Sequence, residues 1–516
     1  MYDLVLQGGT IVDGTGAKPY VANLCIEGGK IAAITTESVN GKQVMDVSGL
    51  AVAPGFIDIH SHSETYPLYG GLPENILRQG VTTQAPGNCG SSLLPAFSLV
   101  PGGTHPYCLD KFNHPGFPSV TDYAESMGKV ALSCNYAPMA GHSTLRCSVV
   151  GQADRRPTEE EMALMCQVLD RELDRGIFGM TLGLIYPPSS FADEDELVEL
   201  AKVIAKHDGI LAVHMRNEGP RLFESVKEML EIARKSGVHL QISHLKLMGK
   251  PQWGKAPQLT AMIEQAQAEG VNVTCDQYPF PASSTALTAL IPRWAADGGP
   301  EALLKRVETR EGTIMADIAR EMDNRGGPHC VLIASANDCP QYPTKYISDI
   351  AKEMGIAPAE AVRQILLDTR AKCQCIYFSI NQEDICHIMS KTWVCVGSDG
   401  SDRLYEGNDT IHPRSFATFS HYFQTAKNFL PLETVVYKAT GLTAKIMGLK
   451  DRGVLKEGNW ADIAIFDPEK YASRSTFLKP NVPPTGMYHV LLAGQFVVRD
   501  EQITDNKPGK VILKNH

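Results

Sequence analysis

Residues 210–244 read ILAVHMRNEGPRLFESVKEMLEIARKSGVHLQISH: an apolar run, an amphipathic stretch and a second apolar run. The first run, Ile210–His214, is typical of a buried strand. The stretch from Arg221 to Ser236 predicts a helix, because its apolar residues recur at helical spacing: Leu222, Val226, Met229, Leu230 and Ala233. Gly237 ends that helix, and residues 238–244 predict the next strand. This part of the chain therefore predicts one strand–helix–strand unit.

The same unit repeats further along the chain. Residues 257–269 predict another helix, and residues 271–278 predict another strand. Strands joined in this way need right-handed crossovers and build a parallel sheet. Two arrangements fit this pattern, an open doubly wound sheet and a closed barrel of eight strands. A chain of 516 residues has room for one large α/β barrel and a smaller companion domain.

Both ends of the chain are rich in short, alternating segments separated by glycine turns, a pattern that predicts strands. We therefore expect residues 1–54 and 436–516 to pair in a small composite β-sandwich domain. Residues 55–435 would form the larger domain. A segment at about 285–349 interrupts the strand–helix rhythm, so we expect an insertion there that covers the site as a lid.

The composition excludes several classes of protein. Hydrophobic residues make up 43% and charged residues 21% of the chain, which is typical of globular proteins and excludes wholesale disorder. The net charge of −10 argues against a general nucleic-acid binder. No run of about 18 apolar residues is present, so no membrane partner is expected. The chain has 13 cysteines, and its first residues do not have the pattern of a secretory signal. We therefore predict reduced thiols in a cytoplasmic enzyme.

Residues 55–62 read GFIDIHSH, an apolar strand that ends in His60 and His62. Side chains two residues apart on a strand lie on the same face, so both imidazoles point the same way. At the carboxyl end of a barrel strand, that face is turned toward the mouth of the barrel. Neutral imidazoles in such positions bind divalent metal ions. The alternative is a chance pair in a chain with 15 histidines.

Three further candidate ligands stand at similar places. His214, His244 and Asp399 each come directly after an apolar run. Together with the histidine pair, four predicted strand ends direct His or Asp side chains toward one rim, which favours a metal site over simple packing. His207 and His239 lie outside this pattern, and we predict structural roles for them.

Several motifs resemble the amidohydrolase superfamily of metal-dependent hydrolases and, within it, the N-acyl-D-amino acid deacylases. The motifs are GFIDIHSH (55–62), GNCG (87–90), GHSTLR (141–146), HMRNE (214–218), SHLK (243–246), GSDG (397–400) and HPR (412–414). GNCG together with HPR is typical of the deacylase branch, and the resemblance covers nearly the whole chain. It implies a (β/α)8 TIM-like barrel with a small β-sandwich domain, which is the fold that we predict.

The resemblance also implies bound zinc. The implied ligands fall into two sets: Cys89, His214 and His244 for one tightly bound ion, and His60, His62 and Asp399 for a second, weaker position. Thiolate and imidazole are natural zinc ligands, although a buried cysteine often has no ligand role. Many amidohydrolases bridge two metals with a carboxylated lysine, but no lysine ends the run 176–182. In similar deacylases, a cysteine equivalent to Cys89 takes that role.

Further roles follow from the same resemblance. The implied contacts to the carboxylate of a small-molecule substrate are Lys246, Tyr278, Ser284 and Arg414. Arg offers a planar fork that suits a carboxylate, and Lys offers a point charge. Asp399 would act as general base on the attacking water and then as general acid toward the leaving amine.

The predicted function is zinc-dependent hydrolysis of N-acyl-D-amino acids to a carboxylate and a free D-amino acid. One alternative is a cyclic-amide hydrolase of the dihydroorotase or hydantoinase kind, and another is a non-catalytic scaffold. Asn217 departs from the Asp that related sequences often carry. His142 could touch the site or pin a loop, and residues 100–121 could form an added loop over the mouth. The oligomeric state is left open.

Overall fold

A computed structural model describes residues 1–98, 113–336, 338–406 and 411–514 of the chain. Its strands are β1 (Tyr2–Ile11), β2 (Tyr20–Glu27), β3 (Lys30–Thr35), β4 (Gly41–Asp46), β5 (Ala51–Pro54), β6 (Phe56–Ser61), β7 (Val81–Pro86), β8 (Asn135–Tyr136), β9 (Ala140–Gly141), β10 (Gly179–Gly183), β11 (Ile210–His214), β12 (His239–Ile242), β13 (Val273–Gln277), β14 (Ser283–Ala286), β15 (Val331–Ala336), β16 (Cys373–Tyr377), β17 (Val394–Val396), β18 (Ile463–Phe466), β19 (Met487–Leu492), β20 (Gln495–Arg499) and β21 (Gln502–Ile503). Its α-helices are α1 (Glu74–Leu77), α2 (Val120–Gly128), α3 (His142–Val149), α4 (Glu159–Asp174), α5 (Glu194–Lys206), α6 (Leu222–Ser236), α7 (Ala256–Ala268), α8 (Pro300–Thr309), α9 (Ile314–Asn324), α10 (Ile347–Met354), α11 (Pro358–Asp368), α12 (Gln382–Met389), α13 (Arg414–Ala426), α14 (Leu432–Ala439) and α15 (Gly441–Met447).

The barrel is built from parallel strands. One ladder joins β6, β7 and β8, and a second joins β9, β10, β11, β12, β13 and β17. Residues 137–139 lead directly from β8 to β9, and a parallel bridge between Ser61 and Gly400 joins β6 to the segment after β17. These links close the ring, so the strands form the predicted eight-fold barrel rather than an open sheet. Helix α6 ends at Gly237, whose φ of 74° is in the left-handed region that favours glycine.

Strands from both chain ends pair in one further sheet. Its order is β21-β20-β19-β18-β5-β1-β2-β3, with β4 paired to β1. The two ends meet where β5 runs antiparallel to β18, with Val52 opposite Ile465. The chain returns to this sheet at β18, later than the predicted boundary at residue 436, because α14 and α15 pack on the barrel strands β6 and β17 instead. The division into residues 1–54 with 436–516 and 55–435 stays a prediction.

The inserted segment forms a small unit with its own core. Strands β14, β16 and β15 make an antiparallel sheet in that order, and α8, α9, α10 and α11 cover it. The insertion reaches β16 and therefore extends beyond the predicted end at residue 349. Residues 350–377 contain helices followed by a strand, the same pattern as a barrel unit, which is why the sequence placed the boundary too early. Cys373 and Cys375 lie buried in this core.

No helix within the described ranges is both long enough and apolar enough to cross a bilayer. The cytoplasmic location stays a prediction.

A lysine is buried between α14 and the barrel. The Lys438 side chain is 1% exposed, and its Nζ donates a hydrogen bond to the Lys391 carbonyl oxygen. Burial disfavours the charged ammonium and lowers the pKa of Lys438 from 10.5 to about 7. Folding therefore favours loss of a proton from this side chain.

We expect Lys438→Met to stabilise the protein at pH 7. Because the pKa of Lys438 is lower in the folded state than in the unfolded state, the folded wild type loses relative stability as the pH falls from about 10.5 to about 7. The methionine variant lacks this loss but also lacks the hydrogen bond, so the expected gain at pH 7 is roughly 1–4 kcal/mol. Thermal unfolding midpoints of both proteins at pH 7 and pH 9.5 measure it. Lys445→Met, at an exposed position on α15, is the control. A gain of the same size at both pH values would contradict the explanation.

Candidate metal centre and active site

The candidate ligands all stand at the carboxyl ends of barrel strands, which in a barrel of this kind form the functional rim. His60 is the penultimate residue of β6, His62 comes directly after that strand, and Cys89 follows β7. His214 ends β11, and His244 comes two residues after β12. Asp399 follows β17, and its amide nitrogen donates to the His60 carbonyl oxygen at 2.8 Å. The structure therefore brings together all six predicted ligands.

The ligand atoms form two groups. The first metal group consists of Cys89, His214 and His244, and the second metal group consists of His60, His62, Cys89 and Asp399. Within each group the ligand atoms lie within 4.8 Å of one another. In the first group, Cys89 Sγ lies 3.6 Å from both His214 Nδ1 and His244 Nε2. The sequence assigned Cys89 to one set, whereas the structure places its sulfur in both.

Backbone geometry fixes the position of Cys89. Its φ of 54° is in the left-handed region, as are those of His244 (38°) and Asp399 (51°). Left-handed non-glycine residues are costly and concentrate at functional sites. Strand β10 ends directly against this turn, so a Cβ on Gly183 would lie 2.1 Å from the Cys89 carbonyl oxygen. The end of β10 therefore has no room for a side chain, which explains the missing lysine.

Opposite charges balance in the buried site. Burial alone would raise the pKa of Asp399, but the charges of Arg414 and His60 outweigh it and hold that pKa well below its usual range. Burial would also raise the pKa of the Cys89 thiol, but His60 and the two other imidazoles hold it well below its usual range. Both groups are therefore held as anions, the form that binds a metal ion.

Two buried carboxylates that the sequence analysis missed contact the histidines from outside. Asp276 accepts from His60 Nδ1 at 3.1 Å and from the His244 amide nitrogen at 2.8 Å. Glu218 lies 3.1 Å from His244 Nδ1 and 2.6 Å from Lys246 Nζ. Burial acts to raise the pKa of Glu218, but the positive charge of the neighbouring Lys246 outweighs this effect. The pKa is therefore lowered, and the carboxyl is held as an anion. Signals for both existed: Asp276 lies near the carboxyl end of a predicted strand, and Glu218 closes the HMRNE motif.

The predicted substrate contacts lie beside Asp399 and the first metal group. Arg414 Nη1 binds Asp399 Oδ2 at 2.6 Å, and Arg414 Nη2 donates to the Ser284 carbonyl oxygen at 3.1 Å. The guanidinium lies 5.3 Å from the centre of the Tyr278 ring, and Lys246 Nζ lies 5.8 Å from it. The Tyr278 hydroxyl is buried and makes no hydrogen bond of ordinary geometry within the described ranges. Tyr278 therefore lies between two cations, with Arg414 beside its hydroxyl.

Other residues raised by the sequence lie outside this cluster. His142 bonds Ser189 Oγ at 2.6 Å and Glu196 Oε1 at 2.9 Å, so it pins α3 to neighbouring segments. Asn217 Oδ1 accepts from the backbone amides of Gly219 and Arg221, and thus organises the turn before α6.

His207 bonds Asp170, and His239 bonds Thr274. Of the predicted loop 100–121, residues 100–112 lie outside the described residues.

These features define an α/β barrel with a candidate metal centre at its carboxyl rim. The sequence pattern that defines the amidohydrolase family matches residues 43–498 of the chain. D-aminoacylase from Alcaligenes xylosoxydans xylosoxydans is 33% identical, over 99% of this chain and 98% of the relative. N-acyl-D-aspartate deacylase from the same organism is 31% identical, over 99% of this chain and 95% of the relative. The chain belongs to the amidohydrolase family.

Solved structures show the same relationship. The crystal structure of N-acyl-D-glutamate deacylase from Bordetella bronchiseptica, in complex with zinc and a phosphonate that mimics the tetrahedral intermediate, is 30% identical with a TM-score of 0.83. The match covers 99% of each chain. L-hydantoinase from Arthrobacter aurescens is 16% identical with a TM-score of 0.59 over 100% of each chain, which shows a shared fold alone.

We expect Gly183→Ala to displace Cys89. A Cβ at this position cannot lie 2.1 Å from the Cys89 carbonyl oxygen, so the turn must move, at a cost of about 1–3 kcal/mol. The unfolding midpoint and the metal retained after dialysis should both fall. Gly128→Ala is the matched control, because a Cβ there meets nothing within 4 Å. Equal behaviour of the two variants would show that the contact does not fix Cys89.

Proposed function

We propose that this protein hydrolyses the amide bond of N-acyl-D-amino acids and releases a carboxylate and a free D-amino acid. The observation that carries the proposal is the pair of metal groups that share Cys89, with Asp399 in one of them and bonded to Arg414. The relatives named above act on N-acyl-D-amino acids, and their likeness to this chain over nearly its whole length supports the same substrate class. A cytoplasmic location, with no nucleic-acid or membrane partner, is part of the proposal.

The proposed cofactor is zinc. The fit rests on the donor set, because thiolate, imidazole and carboxylate are the side chains that bind zinc, and their ligand atoms lie within 4.8 Å of one another in each group. Cys89, His214 and His244 would hold the tighter ion, and the second metal group would hold a weaker one. When bound, zinc would polarise the acyl carbonyl and supply a nucleophile near neutral pH.

Asp399 is the proposed proton carrier. Its Oδ1 lies 2.9 Å from His62 Nε2, and its Oδ2 is held by Arg414, so the carboxylate is fixed at both oxygens. As a general base it would take a proton from the attacking water, and as a general acid it would deliver that proton to the leaving amine nitrogen. One residue would therefore serve both halves of the reaction.

The substrate's carboxylate would be bound by Arg414, Tyr278, Ser284 and Lys246. The hydroxyl of Tyr278 and the two flanking cations offer donors to an anion, while the chain as a whole is net negative. Attraction of the substrate must therefore come from these local charges. Fixing both the carboxylate and the acyl carbonyl leaves one direction for the side chain, and chirality would be selected in this way.

The direct test is a panel of N-acetyl-D- and N-acetyl-L-amino acids with cyclic amides alongside. We expect kcat/KM for the preferred D-substrate to exceed that for its L-enantiomer by at least about 100-fold, because the wrong enantiomer leaves buried polar groups unpaired. Turnover of hydantoins or dihydroorotate alone would indicate the cyclic-amide alternative. Absence of any turnover in zinc-loaded protein would indicate a scaffold.

We expect Asp399→Asn to lower kcat on the preferred substrate by about 10²–10⁴-fold, because the amide cannot carry the proton. Zinc at the first metal group should be retained, since Asp399 is not one of its members. Steady-state kinetics and elemental analysis on the same sample separate the two effects. Near-normal turnover in a zinc-loaded variant would exclude the proposed role of Asp399.

A further inference from the structure

One buried carboxylate faces both histidines of the first metal group from the side opposite Cys89. Glu218 Oε1 lies 3.1 Å from His244 Nδ1, and Glu218 Oε2 lies 3.6 Å from His214 Nε2. The inner ring nitrogens, His244 Nε2 and His214 Nδ1, each lie 3.6 Å from Cys89 Sγ. Each ring is thus placed between the thiol and the same carboxylate.

We propose that Glu218 is the positioning residue of the first metal group and couples that group to Lys246. The inference rests on the proposed function. A proton on the outer ring nitrogen, held toward a carboxylate, leaves the lone pair of the inner nitrogen for a metal ion. Glu218 has two oxygens and faces two rings: Oε1 is close enough to His244 Nδ1 to set the tautomer of that ring, and Oε2, at 3.6 Å, draws the outer nitrogen of His214 by its charge.

Lys246 depends on the same carboxylate. Its Nζ lies 2.6 Å from Glu218 Oε1, and the lysine side chain is 5% exposed. The other hydrogen-bond partners of Nζ in the described ranges are both on His244, the Nδ1 at 2.9 Å and the carbonyl oxygen at 3.2 Å. Without the carboxylate, the ammonium would have no anion and would compete for the nitrogen that must carry a proton in the metal-bound state.

The backbone fixes where this carboxylate lies. Glu218 follows His214 by four residues, and its carbonyl oxygen accepts from the Met248 amide nitrogen at 2.8 Å. This bond ties the segment after β11 to the segment after β12, which carries His244 and Lys246. In the second metal group, Asp276 contacts His60 instead. Each group therefore has its own outer carboxylate.

The test is Glu218→Gln, which keeps the size of the side chain and removes its charge. The full-length, zinc-loaded protein is titrated with a chromophoric chelator to measure zinc affinity. We expect that affinity to fall by about 10–100-fold. KM for the N-acetyl-D-amino acid should rise in addition, because Lys246 loses its anion.

The matched control is Glu196→Gln. Glu196 is 3% exposed, as is Glu218. It is held between His142 Nε2 at 2.9 Å and Arg146 Nε at 3.0 Å, and neither of these residues is a candidate metal ligand. Its replacement should lower the unfolding midpoint and leave zinc affinity and KM unchanged. Lys246→Met should raise KM and leave zinc affinity close to wild type, which separates the two effects of Glu218.

Unchanged zinc affinity in Glu218→Gln would overturn this inference and leave the proposed function standing. A wild type that binds no zinc and turns over no substrate would overturn both. If Glu218→Gln does not fold, Glu218→Asp replaces it: the shorter side chain keeps the charge but cannot reach both rings. Lower zinc affinity in Glu218→Asp supports the inference, and wild-type affinity contradicts it.

Discussion

The thiol of Cys89 is the point where the two metal groups meet, and its position depends on a contact between two backbones. The turn that carries Cys89 lies so close to the end of β10 that only glycine fits at residue 183. This contact places the sulfur between the imidazoles of β6, β11 and the segment after β12. A side chain at the end of β10 would collide with the Cys89 carbonyl oxygen, so this strand end has no room for a ligand of its own while the turn stays in place.

The second constraint is electrostatic. The site buries several carboxylates and a thiolate, and an ion buried without a partner is costly. Each anion therefore has a nearby cation or ring N–H: Arg414 for Asp399, Lys246 for Glu218, and His60 for Asp276. The same pairs orient the candidate ligands, and the Arg414 pair holds Asp399 as an anion, so charge balance and ligand geometry have one structural cause.

The inserted unit contributes residues that line the site from outside the barrel. Strand β14 carries Ser284, whose carbonyl oxygen accepts from Arg414, and Thr285, whose hydroxyl lies 2.8 Å from that of Tyr186. Tyr186 packs edge-on against His214 with ring centres 5.1 Å apart. Thr285 of the insertion and Tyr186 of the loop after β10 therefore lie on the side of one ligand histidine, and Ser284 of the insertion also contacts Arg414 at the start of α13.

The sequence by itself determined the elements and most of the site. Hydrophobic periodicity predicted α6 and β11 closely, because one face of a helix or the whole of a central parallel strand must be buried. Strand-end positions predicted His60, His214, His244 and Asp399 on one rim, because parallel strands of a barrel all end on the same side. The resemblance added Cys89 and the residues proposed to bind the substrate.

Only the tertiary structure decided which side chains touch. That Cys89 belongs to both metal groups, that Arg414 binds Asp399, and that Glu218 faces two histidines depend on distances between segments far apart in the chain. The end of the insertion was also decided in three dimensions, because β16 has the local pattern of a barrel strand and is distinguished only by its partners β14 and β15. Local periodicity reports which face is buried, whereas pairing and charge balance depend on what the fold brings against that face.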